Sequence, residues 1–236
     1  MLKTHLAFAA LMAVSMPVLA DEDHLHAGDI EVEVDAGQLV AHGAAQTQSG
    51  TGYAIFESDF GDFAGGPYRT DDPGYDSAAG TFAAGTIINY QALGSLWYWN
   101  GLNWGNSVVN GETVQLDGNF GETTVWTVGG VTGDGAGLVG QAGSDGKIHE
   151  HLDMSIEAPA GFLPTAGAYY VALQLVSEGY ANSDPFLVVF NNGLGTEAYE
   201  LAVGALAAPV PEPETYAMLL AGLGLIAFKL RRRHGA

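Results

Sequence analysis

Between residues 30 and 34 the chain reads Ile-Glu-Val-Glu-Val, a strict apolar–acidic alternation. A period of two places successive side chains on opposite faces of a strand, so the pattern predicts a strand with one face buried and one in water. Asp35-Ala36-Gly37 supplies a turn, and residues 39–42 the returning strand. Further short strands are predicted at 51–56, 86–90, 96–99, 113–116 and 123–128, where β-branched and aromatic residues gather. Residues 148–156 alternate again, 169–176 and 186–190 are the strongest strand runs, and 198–203 form a last strand. Asn100-Gly101 and Asn110-Gly111 mark turns, while residues 60–80 and 129–146 are dense in turn-forming residues and read as loops. Many short strands, frequent glycine turns and no long helical period predict an all-β fold. The expected architecture is a single β-sandwich, Ig-like or jelly-roll-like, over residues 21–208.

Two apolar runs break this pattern, and they lie at the ends. Lys3 and His5 precede an apolar run over residues 6–16; Pro17 ends it, and Val18-Leu19-Ala20 offers small residues for cleavage. This is the layout of a secretory signal peptide over residues 1–20. At the other end, residues 209–236 carry Pro211-Glu212-Pro213, an apolar run over 217–230 broken only by Lys229, and then Arg231-Arg232-Arg233. This order resembles the PEP-CTERM sorting tail of Gram-negative bacteria. The resemblance implies an exosortase-type sorting enzyme as partner, transient residence in the inner membrane through the tail, and delivery to the cell surface or beyond. The apolar stretch fits that role. A full bilayer crossing needs roughly 20 apolar residues, so residues 215–230 make a marginal transmembrane helix, with the arginines held on the cytoplasmic side.

Removing both ends changes the charge picture. The whole chain has 7 Lys and Arg against 27 Asp and Glu. Only Arg69 and Lys147 lie in the mature stretch, while Glu212 and Glu214 are the only acids outside it, so its net charge is about −23. Such a field repels phosphate backbones, which excludes nucleic acid as a partner, and it attracts cations. There is no cysteine. An exported chain without disulfides must draw stability from its core, from a bound ion, or from both, and thiolate chemistry is excluded.

Five histidines fall between the two signals: His24, His26, His42, His149 and His151. Four of them form two His-X-His pairs. If residues 148–156 are one strand, His149, His151 and Asp153 stand in one row, with Glu150, Leu152 and Met154 on the other face. Two imidazoles on one face can grip a single ion, with a third ligand from elsewhere; His24 or His26 is the expected third, and Asp153 a further candidate. Imidazole with carboxylate suits zinc, and also other divalent metals. His42, at a strand end beside Gly43, reads as a plain surface histidine. Asp71-Asp72-Pro73-Gly74-Tyr75-Asp76 and Asp59-Phe60-Gly61-Asp62 contain possible calcium ligands but lack the EF-hand spacing, and turn chemistry accounts for both.

The opening His24-Leu25-His26, the stretch Gly28-Asp29-Ile30-Glu31-Val32, the run from His149 to Asp153, Gly167-Ala168-Tyr169-Tyr170-Val171 and Ser183-Asp184-Pro185-Phe186 together resemble a group of PEP-CTERM surface proteins controlled by the bacterial zinc-uptake repressor. They are also similar to actinobacterial surface-anchored domains associated with metal transport. That resemblance implies zinc acquisition, storage or delivery outside the cytoplasm, alongside metal-uptake machinery. Its short first histidine cluster departs from the richer tracts of some relatives and argues against bulk storage.

Two alternatives stand beside a metal-binding surface protein. One is a structural matrix or envelope protein with incidental histidines. The other is a carbohydrate-binding module built on Trp97, Tyr98, Trp99 and Trp104, although alternation favours core packing for Trp97 and Trp99. Enzymatic function is not expected: no Gly-X-Ser-X-Gly, phosphate loop or catalytic carboxylate pair stands out, and alternation turns Glu150, the one candidate base, away from the histidines. Intact mass of the exported protein tests the processing expectation. The chain should begin at Asp21 and lack its three arginines in a host that has the sorting enzyme; full-length chain in the cytoplasm would refute export.

Overall fold

In β15 (Gly167–Val176) every second residue from Tyr169 to Leu175 is fully buried, and the residues between are half-exposed. This strand lies near the centre of a seven-stranded sheet. Its order is β12 (Ala136–Gln141), β7 (Ile87–Trp99), β15, β16 (Phe186–Asn192), β4 (Ala54–Asp59) and β3 (Thr47–Gln48), with β8 (Trp104–Gly105) paired to β7. The opposing layer has two sheets. One runs β11 (Gly130–Gly133), β10 (Thr123–Thr127), β9 (Thr113–Asp117), β14 (Asp153–Glu157), β5 (Arg69–Thr70). The other runs β13 (His149–Glu150), β6 (Tyr75–Asp76), β1 (Ile30–Asp35), β2 (Gln38–His42). The computed structural model describes residues 28–207 apart from 44–46, 49, 51 and 63–64. The signal peptide, His24, His26 and the sorting tail lie outside the described residues.

The fold is the expected all-β sandwich. One apolar cluster draws on all three sheets: Ile30, Val32 and Leu39 from the four-stranded sheet, Leu116, Trp126 and Met154 from the five-stranded one, and Tyr90, Leu96 and Val171 from the seven-stranded one. Each fully buried side chain of this size contributes roughly 1.5–3 kcal/mol. Polar ends of the large rings are satisfied across the layers. The Trp126 indole N–H donates to the Leu93 carbonyl at 3.1 Å, and the Tyr90 and Thr124 hydroxyls meet at 2.9 Å.

The structure departs from the expected elements in several places, and the stretch 60–80 expected as a loop carries the short strands β5 and β6. Residues 86–90 and 96–99 belong to one strand, β7, whose pairing with β15 is interrupted by a register shift between Tyr170 and Ala172. Gly94 and Ser95 sit within this irregularity. The expected loop at 129–146 contains β11 and β12. Ladder pairing uses backbone groups only, so glycine-rich segments can join it; at Gly137 a Cβ would lie 2.6 Å from the Tyr90 hydroxyl, which makes a bare backbone necessary there. Residues 198–203 are helical, within α1 (Thr196–Ala207), where the buried Tyr199, Ala202 and Val203 recur at helical spacing. This helix covers the outer face of the seven-stranded sheet against Ile55, Trp99, Leu187 and Val189.

The two layers are also pinned by one carboxylate. Glu112 is almost fully buried at the entry to β9 and accepts the backbone N–H groups of Asn110 at 2.8 Å and of Thr165, just before β15, at 3.0 Å. Burial pushes its pKa up, but the hydrogen bonds from Thr165 and Asn110 outweigh burial and hold the carboxyl below its ordinary 4.5. A carboxyl whose pKa is lowered on folding stabilises fully above the unfolded value, and that stabilisation is lost as pH falls through the folded one. Glu112→Ala should therefore destabilise the domain at pH 7 by about 1–3 kcal/mol, the penalty for stranding buried N–H groups. Urea unfolding should show the gap to the parent narrowing as pH falls below 4.5; a constant gap would exclude the carboxylate as its source.

Candidate metal centre

Two chain segments pair with each other and change sheets together. Arg69 and Thr70 of β5 pair with Ser155 and Met154 of β14 in the five-stranded sheet. Further along, Tyr75 and Asp76 of β6 pair with Glu150 and His149 of β13 in the four-stranded sheet. Between these ladders one segment has four residues, Asp71-Asp72-Pro73-Gly74, and the other only three, His151, Leu152 and Asp153. An excess of residues on one strand bends the pair, which is how strands turn a corner from one sheet to another. The Asp72–Pro73 peptide at this corner is cis.

This corner corrects the expected row of ligands. Residues 148–156 are not one strand, because β13 ends at Glu150 and β14 begins at Asp153. Inward positions are kept, with Ile148, Leu152, Met154 and Ile156 all buried. Asp153, however, pairs opposite Asp117 in the five-stranded sheet and joins no cluster with the two histidines. His149 and His151 do come together, their rings edge to face with centroids 5.4 Å apart.

The third member of the group is Asp29, immediately before β1. Its ligand atoms lie within 4.8 Å of those of His149 and His151. Asp29 is 6% exposed. Its Oδ1 accepts the Gly74 backbone N–H at 3.1 Å, while its Oδ2 is buried with no hydrogen-bond partner among the described residues. The neighbouring Ile30 N–H donates to the Gly74 carbonyl at 2.8 Å, so Asp29 and Ile30 clasp the corner from both sides.

His151 has a defined orientation. Its Nδ1 lies 2.9 Å from the Asp71 carbonyl oxygen. A carbonyl only accepts, so Nδ1 carries the proton and Nε2 keeps its lone pair. The ring lies flat against Gly74: a Cβ there would sit 2.6–2.9 Å from Cε1, Nε2 and Nδ1. His149 sits opposite Asp76, whose side chain is fully buried; Asp76 Oδ2 is 3.7 Å from His149 Nδ1 and Oδ1 is 3.6 Å from the Lys147 ammonium. Asp72 Oδ1 lies 3.7 Å from His151 Nδ1.

A second acid–histidine group stands apart on β1 and β2. His42, expected as a plain surface residue, has Nε2 2.7 Å from Glu33 and Nδ1 3.7 Å from Glu31. Its ring nitrogens are served by carboxylates. The tryptophans are packed: Trp99 and Trp104 join the cluster beneath α1, the Trp104 N–H donates to the Ala202 carbonyl at 2.8 Å, and Trp97 stacks on Tyr170 at 5.7 Å.

Comparison with known proteins decides where this domain goes. Residues 209–233 match the PEP-CTERM protein-sorting motif. That motif is the recognition signal for an exosortase, and it implies export and sorting to the surface or exterior. Comparison with curated proteins and with solved structures returned no match. Among the described residues no helix is long and apolar enough to cross a membrane. Missed in the sequence were Asp29 and Asp76: by period Asp29 falls on the outward face with Glu31 and Glu33, and Asp76 lies in a stretch read as a loop, yet both are buried.

Proposed function

We propose that this exported domain is a non-enzymatic binder of a divalent metal, zinc in preference, held by His149, His151 and Asp29. The observation that carries the reading is the buried Asp29 oxygen without a partner, beside two imidazoles. Leaving a buried charge unpaired is unfavourable by several kcal/mol, and two neutral histidines cannot offset it. A cation does. Two nitrogens and one carboxylate make a borderline donor set that suits zinc better than calcium.

Three protein ligands leave a fourth position open. The His24-Leu25-His26 pair precedes Asp29 closely: His26 is three residues away, and an extended chain spans at most about 3.6 Å per residue. Its reach therefore covers the site, and either histidine can close it. An exchangeable fourth ligand suits capture and hand-over outside the cytoplasm, in company with metal-uptake machinery. The competing reading, a structural envelope protein, draws support from His42, whose Nε2 lies 2.7 Å from the Glu33 carboxylate in a cross-strand surface contact.

Zinc titration calorimetry at neutral pH separates the two. His149→Ala with His151→Ala should lose the tight site, and His42→Ala should keep it. Asp29→Asn, which preserves an acceptor for the Gly74 N–H, should weaken binding without unfolding the domain. Retained binding in the double variant would leave the histidines as a polar corner and favour the structural reading. Zinc at 100 times its Kd should also raise stability by about 2.7 kcal/mol, read as a higher Tm that chelator reverses.

Gly74 offers an independent check on geometry. Its φ is not in the left-handed region, so alanine is permitted by the backbone. Gly74→Ala should push the His151 ring aside and weaken zinc roughly 10–100-fold, the range seen when supporting groups of a metal site are disturbed. Unchanged affinity would place His151 outside the site.

A further inference from the structure

Asp76 has no role in the cluster of three, yet it is the most buried carboxylate near it. Its Oδ1 accepts the Ser77 N–H at 2.8 Å and faces Lys147 at 3.6 Å. Its Oδ2 is buried without a hydrogen bond and points to the side of His149 Nδ1, 3.7 Å away. The cross-strand register explains the placement, because His149 and Asp76 are directly paired residues of β13 and β6.

We propose that Asp76 is a positioning residue for the metal ligand His149, accepting its Nδ1–H and so presenting Nε2 to the ion. The proposal rests on the metal reading above. A separation of 3.7 Å exceeds a hydrogen bond, but His149 is the more exposed partner, at 43% against 1%. A small rotation of its ring closes the gap, whereas Asp76 is held by Ser77 and Lys147. The two histidines are then treated alike: a backbone carbonyl fixes His151, and a carboxylate fixes His149. A ligating imidazole usually donates its other N–H in this way, which sets the tautomer and strengthens the ligand nitrogen.

Asparagine reverses the instruction. In Asp76→Asn the amide oxygen can still accept from Ser77, while the NH2 group faces His149 Nδ1. An NH2 group donates, so it favours the tautomer with the proton on Nε2, the nitrogen needed for the ion. A comparable tautomer error is the accepted account of aspartate-to-asparagine change in the serine protease triad.

The test uses the exported protein, with zinc as the probe in competition against a chromogenic chelator. Asp76→Asn should bind zinc about 10–100-fold more weakly than the parent, without abolishing binding as His149→Ala with His151→Ala does. Equal affinity of parent and Asp76→Asn would overturn the proposal while leaving the metal site standing. Abolished binding in a folded Asp76→Asn chain would also overturn it, by making Asp76 a direct ligand. A parent that binds no zinc overturns the metal reading and this proposal with it. The parent itself gives a second readout that needs no variant. Histidine 15N spectra of the zinc-loaded chain should show His149 protonated at Nδ1 and bound through Nε2; zinc on Nδ1 would refute the assignment.

Discussion

The paired bend of segments 69–76 and 149–155 is the constraint on which the opposing layer depends. Four residues face three across that bend, so the ladder cannot continue flat, and the layer divides into a five-stranded and a four-stranded sheet. Both sheets then curl over the seven-stranded one and share a single apolar core. A bend of this kind breaks ladder hydrogen bonds and must satisfy the freed groups locally. Asp29, Ile30 and the Thr70 hydroxyl do so, through Gly74 and Asp72. Polar side chains gathered to repair a backbone corner are thereby brought within reach of one another. The candidate site arises from that gathering.

The fold was legible wherever local pattern and long-range partner agree. Ile30, Val32 and Leu39 alternate and are buried, and Tyr169 to Leu175 alternate within one continuous strand. Legibility failed where backbone pairing or a distant surface made the decision. Glycines at 130–140 joined strands because ladders need no side chain, and the bare backbone let Tyr90 approach. Residues 198–203, apolar and short, fit a strand as well as a helix by composition; Tyr199, Ala202 and Val203 at helical spacing meet a flat sheet face, and that face selects the helix.

At the site, the local half was readable and the long-range half was not. His149 and His151 are adjacent in sequence, and their proximity follows from spacing in either a strand or a corner. Asp29 lies 120 positions before His149, and its arrival depends on the parallel pairing of β1 with β6, which no local period encodes. Asp153 stands outside the group with the two histidines for the converse reason. Its spacing is right for a continuous strand, but the sheet changes at His151 and Leu152, so the next outward residue faces a different neighbourhood.

Electrostatics gives the corner its chemical bias. The mature stretch has only two Lys or Arg residues, one on the bend and one just before it: Arg69 meets Asp117 at 3.1 Å, and Lys147 meets Asp76 at 3.6 Å. The fixed positive charges are thus committed to Asp117 and to one oxygen of Asp76. Among the described residues, Asp29 receives only a backbone N–H on one oxygen. The corner thus brings a buried carboxylate beside two imidazoles inside a strongly acidic domain. Long-range attraction raises the local concentration of any cation, monovalent or divalent, and salt screens it over about 8–10 Å. Selection has to come from the donor atoms at short range, where two imidazole nitrogens discriminate against sodium, magnesium and calcium. On the proposed metal-binding reading, capture by field and selection by nitrogen would act at different distances, which is the division of labour a surface-delivered metal binder requires.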